Sequence, residues 1–380
     1  MIPLKGNYDV IITGGGLAGL TSAILLAKKG LAVLLIEKKS YPFHKVCGEY
    51  VSNEVLDILG SMGLDPFQQG ASRISRLRVS TPSGHEVHSP LGLGGFGLSR
   101  YKLDHAMAAL AQQNGAEIIT GTKVIDIIFK GDHFETKLNS GEVINSKIAM
   151  GSYGKRDTLD KKLNRDFFYE HTGYLGVKYH IKTNYPDNEV GLDNFAGGYC
   201  GIVKIEDDRY NLCYLYKRNR KTNFNSVHEL EEKVLFRNPV IKNIFLDAHF
   251  IFEEPEVINE ISFSSKQQVE NHILMCGDSA GLITPLCGNG MAIAIHSGVL
   301  LSNLIAGLNL ERNISMKEQV QLEGAWQQAW NKNFRSRLMW GRRIQSVFGN
   351  FFITELGIRS IHLMPALESW LISKTHGKPL

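Results

Sequence analysis

Tyr8-Asp9-Val10-Ile11-Ile12-Thr13-Gly14-Gly15-Gly16-Leu17-Ala18-Gly19 joins a short β-branched run to a glycine turn of the form G-x-G-x-x-G. An Ala/Leu-rich stretch, Leu20 to Lys29, follows and stops at Gly30, and Ala32-Val33-Leu34-Leu35-Ile36 is a second apolar run ending at Glu37. This order predicts strand, turn, helix and buried strand. Gly14 serves the tight turn, Gly16 clears bare backbone for a diphosphate, and Gly19 lets the helix lie close on the sheet. The first amides of the helix, at Leu17 and Ala18, face the phosphates. Glu37, eighteen positions after Gly19 and followed by Lys38, is placed to accept from ribose hydroxyls. Its charge opposes a 2′-phosphate, so the expected ligand is FAD or NAD rather than NADP. The plain alternative is a glycine turn without a ligand, and the complete strand, helix, strand and acid pattern weighs against it.

The totals bound the rest. A chain of 380 residues exceeds the usual single domain and can bury a large core. Its 43% hydrophobic and 21% charged content is that of a globular protein, and no run approaches the roughly 18 apolar residues of a membrane span. The motif starts too near the first residue for a signal peptide to precede it. Five cysteines with no C-x-x-C pair point to neither a disulfide framework nor a zinc site, and a reducing cytoplasm is the expected home. A net charge of +4 is too mild to imply nucleic acid.

The polar segment from Lys38 through Cys47-Gly48-Glu49 to Ser52 reads as a loop presented to a ligand, with a helix capped near Ser52 or Asn53. Cys47 is either a thiol near the ligand, able to donate a proton, or a small packed residue. Arg73–Ser80 and His85–Ser89 form a hairpin, and the glycine-rich Leu91–Gly97 reads as a loop that is flexible or lies against a flat ligand. Arg100 opens a helix to Asn114. Val124–Phe129, His133–Leu138 and Val143–Ala149 form a three-stranded meander.

From Phe167 to about Ser264 longer strands predominate, interrupted by a helical stretch at Ser226–Phe236. This predicts an inserted antiparallel-sheet domain that roofs the ligand and selects substrate. Its aromatics, Tyr199, Tyr214 and Tyr216 among them, either line a pocket or form ordinary sheet core.

A second anchor lies at Asn271 to Met291. An apolar strand delivers Gly277-Asp278, and Gly288-Asn289-Gly290 opens an apolar helix at Met291. A carboxylate is thus set to accept from sugar-chain hydroxyls, and a helix N-terminus to stabilise negative charge on a ring oxygen. One such site near each end of the chain implies one long ligand. The last sixty residues are helical and hold Trp326, Trp330, Trp340 and Trp370 together with Arg335, Arg337, Arg342 and Arg343. They form either a packed helix with a solvated basic face or a surface that rests on a membrane.

The two anchors, with Arg100-x-x-Leu103-Asp104 between them, resemble the FAD-binding fold shared by p-hydroxybenzoate hydroxylase-type monooxygenases, flavin halogenases and geranylgeranyl reductases. Gly277–Gly290 is similar to that family's G-D-A-A-G-x-x-x-P-x-x-G-x-G motif, with Ser279 for the first alanine. Cys47-Gly48-Glu49 and Pro285-Leu286-Cys287-Gly288 most resemble the geranylgeranyl reductase branch. The resemblance implies a Rossmann-type α/β FAD-binding domain made of residues 1–166 and 265–312. It implies a sheet domain at 167–264 and a helical region at 313–380. FAD is the implied cofactor, with NAD(P)H as a candidate electron donor.

By the same resemblance Gly14, Gly16 and Gly19 hold the diphosphate, Glu37 the adenosine ribose and Asp278 the ribityl chain. Arg100 touches the diphosphate, Val124 the adenine through its backbone, and Gly290 with Met291 the flavin ring. Three departures qualify it. Tyr153 stands where the monooxygenases carry an aspartate used toward FAD and NADPH. No tryptophan precedes Trp326, which disfavours a halogenase. Gly198–Val203 lacks the Trp and Pro of the reductases' Y-x-W-x-F-P motif, which implies a different substrate from geranylgeranyl chains.

The implied activity is hydride transfer between flavin and a hydrophobic small molecule or lipid-like substrate, with Cys47 as proton donor. The alternatives are a monooxygenase acting on an apolar substrate and a non-catalytic prenyl-binding escort. An electron-donor protein and peripheral membrane contact are the implied partners.

Overall fold

Asn7–Thr13 pairs in parallel with Val33–Ile36 on one side and Val143–Gly151 on the other, and Val10, Ile11 and Ile12 are fully buried. A parallel strand must be covered on both faces, which explains why these runs are continuously apolar rather than alternating. The computed structural model describes residues 6–218, 224–284, 288–347 and 351–362. Within them the first sheet runs Val269–Glu270, Ile273–Met275, Val143–Gly151, Asn7–Thr13, Val33–Ile36, Glu117–Ile119. The expected meander is there: Val124–Phe129, Phe134–Leu138 and Val143–Gly151 pair antiparallel in sequence.

Helices Leu17–Lys28 and Gly290–Ala306 pack on each other closely enough that a Cβ at Gly298 would stand 2.8 Å from the Ala18 carbonyl oxygen. A Cβ at Gly19 would stand 2.2 Å from the Gly14 oxygen and 2.5 Å from Ser152 Oγ, so the helix can sit this low on the sheet only without side chains there. The first turn of one helix thereby lies against the middle of the other.

The second sheet is mainly antiparallel and begins earlier in the chain than an insert at 167–264 would. Its order is His249–Phe250, Tyr174–Lys182, Tyr210–Lys217, Gly198–Lys204, Glu189–Phe195, Ser72–Ser80, Glu86–Gly97, Tyr50–Ser52. The join is the parallel pairing of Ser72–Ser80 with Glu189–Phe195, which leaves the expected hairpin intact and attaches it to the later strands. The glycine-rich Leu91–Gly97 is not a loop. It continues the strand Glu86–Gly97, and two of its glycines are steric necessities, since a Cβ at Gly95 would meet the Tyr50 ring at 2.4 Å and one at Gly97 the Lys204 oxygen at 1.9 Å.

Helices Met316–Val347 and Phe351–His362 close the described chain. Trp326 and Trp330 are buried in the main core, and Trp326 Nε1 donates to the Met275 oxygen at 3.0 Å, tying the long helix to the strand before Gly277-Asp278. These tryptophans are therefore core, as the plainer reading held. Trp370 lies outside the described residues, and no helix among the described residues is long and apolar enough to cross a membrane. Replacing Trp326 with Ala should cost about 3–5 kcal/mol of unfolding free energy in urea titrations; a loss below 1 kcal/mol would show that the helix is not anchored there.

Candidate active site

A single cavity of about 670 Å³ runs from the first glycine turn to the face of the second sheet. Gly16, Leu17, Ala18, Glu37, Lys38, Cys47, Arg100, Gly277, Asp278, Gly288, Gly290 and Met291 all line it, so the two sequence anchors meet. Gly14 and Gly19 serve the turn and the helix packing behind it. Val124 is buried in its strand, and Val124 and Asn289 are not among the cavity-lining residues. Pro285, Leu286 and Cys287 of the second motif lie outside the described residues.

The site's own geometry fits FAD. Helix Leu17–Lys28 begins at Gly16 with no side-chain cap, and helix Gly290–Ala306 begins at Asn289 likewise, so first-turn amides of both remain for a ligand. A Cβ at Gly16 would lie 3.7 Å from an Arg100 guanidinium nitrogen and 3.9 Å from Lys45 Nζ: bare backbone faces two cations, a cradle for a diphosphate. Glu37 is 6% exposed and accepts from the Gly15 amide at 2.7 Å and the Lys39 amide at 3.0 Å. Each of its oxygens keeps a further lone pair for a hydroxyl donor.

Arg100 is fixed by Asp104 one turn on, through two hydrogen bonds of 2.7 Å, and Lys45 Nζ meets the same carboxylate at 3.0 Å. The pairing keeps Asp104 ionised, well below the usual carboxylate range, although burial acts in the other direction. It leaves one net positive charge toward the cradle. The Arg100 guanidinium also lies against the Cys47 side chain.

Behind Arg100 sits a buried cluster that spacing alone did not disclose. Glu49 is fully buried, with Oε1 accepting from Lys178 Nζ at 2.5 Å and from the Arg100 amide at 2.9 Å, and Oε2 meeting His180 Nε2 at 2.7 Å. Its backbone takes φ +54, a conformation L-residues rarely adopt, held in place by these contacts. Burial alone would raise its pKa, but Lys178 and His180 outweigh burial and hold it at about 2.

On the other side, Lys266 and Arg165 staple the second motif to the rest of the sheet. Lys266 Nζ donates to the carbonyl oxygens of Lys155 and Asp278, each at 2.8 Å, and Arg165 to that of Ser279 at 3.0 Å. Burial pulls Lys266 down to about 8. Tyr153, at the position expected to hold an aspartate, turns its hydroxyl to Met275 Sδ at 3.4 Å, and burial pushes that phenol well up.

Of the three tyrosines expected toward substrate, Tyr199 and Tyr214 line the cavity. Tyr214 also donates to the buried Glu231 at 3.0 Å. Tyr216 stacks on Phe195 within the sheet core and is not a cavity-lining residue. No sequence motif marks Tyr50, which stands 3.4 Å from where a Gly288 side chain would begin. Nor does a motif mark the aliphatic wall of Leu77, Val79, Val190, Leu192, Val203 and Leu215. The alternation of apolar residues in these strands was the available signal.

Two outcomes follow. Arg100→Ala should weaken FAD binding about ten- to hundredfold, since a charged hydrogen-bond donor is lost and Asp104 is left facing the phosphates; unchanged retention on ultrafiltration would remove Arg100 from the cradle. Glu49→Gln strands Lys178 and should cost about 3 kcal/mol at pH 7. Because Glu49 is depressed from 4.5 to about 2, its contribution is present above pH 4.5 and fades as the pH falls toward 2. The gap between wild type and Glu49→Gln in urea unfolding should therefore narrow from pH 5 to pH 3, and a constant gap would refute the assignment.

Residues 7–143 match the family model described as FAD binding domain. The chain is 24% identical over 347 residues to digeranylgeranylglycerophospholipid reductase of Methanosarcina acetivorans, covering 87% of this chain and 82% of the relative. Its fold is shared with a flavin-dependent brominase, at TM-score 0.77 and 19% identity over 97% of this chain and 93% of the other. A geranylgeranyl bacteriochlorophyll reductase-like protein from Thermoplasma acidophilum also shares it, at TM-score 0.73 and 19% identity over 98% and 92%. With a cofactor cradle assembled from both ends of the chain and an FAD binding domain matched over residues 7–143, the protein is an FAD-dependent oxidoreductase that shares its fold with flavin-dependent enzymes.

Proposed function

We propose that the protein transfers hydride between FAD and a carbon–carbon bond of a hydrophobic, lipid-like small molecule. The observation that carries this reading is the continuity of the cavity: Glu37, Asp278 and Gly290 at one end open without a partition onto Leu77, Val79, Val190 and Leu192 at the other. The name of the methanogen relative, a reductase of a digeranylgeranyl lipid, supports the same substrate class. FAD, when bound, supplies two-electron hydride chemistry.

The chain's own part is to orient, to exclude water and to manage one proton. Adding hydride to one carbon of a double bond requires a proton at the other, and Cys47 is the donor we infer. It lines the cavity beside Arg100, within reach of a ligand held there. Solvent then restores the proton. Electrons come from NAD(P)H or an electron-donor protein, and the free cysteines fit a reducing compartment such as the cytoplasm. The apolar residues Phe352 and Leu356 on the outside of the C-terminal helix, whose inner face brings Ile358 to the cavity, favour loading of substrate at a membrane surface.

Cys47→Ala should keep FAD but slow turnover by about a hundredfold or more; unchanged turnover would take Cys47 out of the reaction. Substrate-dependent oxygen uptake would replace the reductase reading with a monooxygenase. A reductase should instead work as well or better without oxygen. Bleaching of the purified protein by NADH or NADPH under anaerobic conditions identifies the nucleotide as donor, and its absence points to a protein carrier.

A further inference from the structure

Gly201 is a glycine that neither backbone nor packing demands. It sits in the middle of the strand Gly198–Lys204 and is not among the glycines with positive φ. A Cβ there would meet only the Cys213 and Gly191 carbonyl oxygens, both at 3.7 Å, an ordinary contact distance. Its neighbours are different: a Cβ at Gly191 would stand 2.7 Å from Ile202, at Gly198 2.0 Å from the Leu215 oxygen, and at Gly176 3.0 Å from Ile258. A glycine inside a strand weakens it, and one without steric need is suited to a place where a ligand approaches the backbone.

The surroundings identify that molecule's chemistry. Alternation puts Tyr199, Gly201 and Val203 on one face of the sheet, and all three line the cavity. Tyr199 belongs to an apolar cluster with Leu215, Ile261 and Leu282, and Val203 to a second one with Tyr50, Ile74, Leu91 and Ile205. Gly201 is the break between them. Register sets Cys213, Gly201, Leu192, Val79 and Val87 side by side across five neighbouring strands, and every one of them lines the cavity. Four inter-strand steps make a furrow about 19 Å long.

We propose that Gly201 is the specificity-determining position of the substrate site: the hydrocarbon part of the substrate lies along this furrow, over the bare backbone of Gly201, and joins the two apolar clusters. The proposal rests on the apolar-substrate reading and deepens it. It assigns the hydrocarbon a direction, across the strands, and a residue that controls how far it reaches.

The test uses the FAD-loaded protein and the displacement of cis-parinaric acid by octanoate, dodecanoate, hexadecanoate and eicosanoate, with FAD content and thermal midpoint measured alongside. Wild-type affinity should rise with length, approaching about fourfold per methylene while the chain still gains buried surface. Gly201→Trp, with Gly201→Leu as a smaller plug, should flatten that rise for the longer acids and leave octanoate within about threefold. Gly201→Ala adds one carbon at ordinary contact distance from its neighbours and should fold as wild type with a partial effect, so a folding failure of the larger variants does not end the test. An unchanged length dependence in FAD-loaded Gly201→Leu or Gly201→Trp overturns the proposal, as does a wild type that shows no length dependence. Either result leaves the cofactor reading standing, because FAD content is scored separately by its absorbance.

Discussion

One buried carboxylate holds the site together. Glu49 reaches the amide that starts the Arg100 helix, the ammonium of Lys178 and the ring of His180, and so binds the ligand-facing loop, the cofactor sheet's helix and the second sheet in one contact set. Bringing these charges out of water is costly, and their mutual attraction offsets that cost only in a narrow geometry. The cluster is therefore better understood as fixing register than as adding stability. Two sheets able to slide on one another would present a cavity of varying width. With Glu49 locked between them, Arg100 and the cavity wall stand in a set relation.

The cofactor end shows the same division of labour between backbone and charge. Glycines at 14, 16 and 19 let the chain turn, expose amides and pack close, while Arg100, Lys45 and Asp104 set the local sign of the field. Lys266 and Arg165 act on carbonyl oxygens of the second motif rather than on its carboxylate, which leaves the Asp278 side chain for a ligand while its backbone is pinned. The substrate end contains almost no such polar devices. Its wall, with Leu77, Val79, Val190 and Leu192, is aliphatic, which suits selection by shape under the proposed reading.

The sequence disclosed whatever depends on neighbours along the chain. The first strand, turn and helix, the acid at Glu37, the meander and the Gly277-Asp278 turn were all legible because each is specified within a few residues. What escaped depends on distant partners. Lys178 and His180 lie 129 and 131 positions from Glu49, and nothing in their local sequence announces a carboxylate. Leu91–Gly97 looked like a loop because glycine usually breaks strands, and only the Tyr50 ring and the Lys204 carbonyl explain why this strand needs it. The parallel join of Ser72–Ser80 to Glu189–Phe195 was likewise invisible, since parallel pairing leaves no turn in the sequence.

The late arrival of the strand Ile273–Met275 has a bearing on synthesis. It pairs in parallel with Met150 and Gly151, beyond the Val143–Ser146 part of that strand which Phe134–Leu138 already covers, so this end of the sheet edge stays uncovered until the ribosome has added the 124 residues from Ser152 to Met275. At cellular elongation rates that is roughly 6–25 s. During this interval the nascent chain carries the first glycine turn but not the second, and the backbone groups at the Gly151 end of the strand remain open to pairing with another chain. Cofactor capture must then follow release of most of the chain, so the supply of FAD in the cell acts on the finished fold and selects against partly folded chains by mass action.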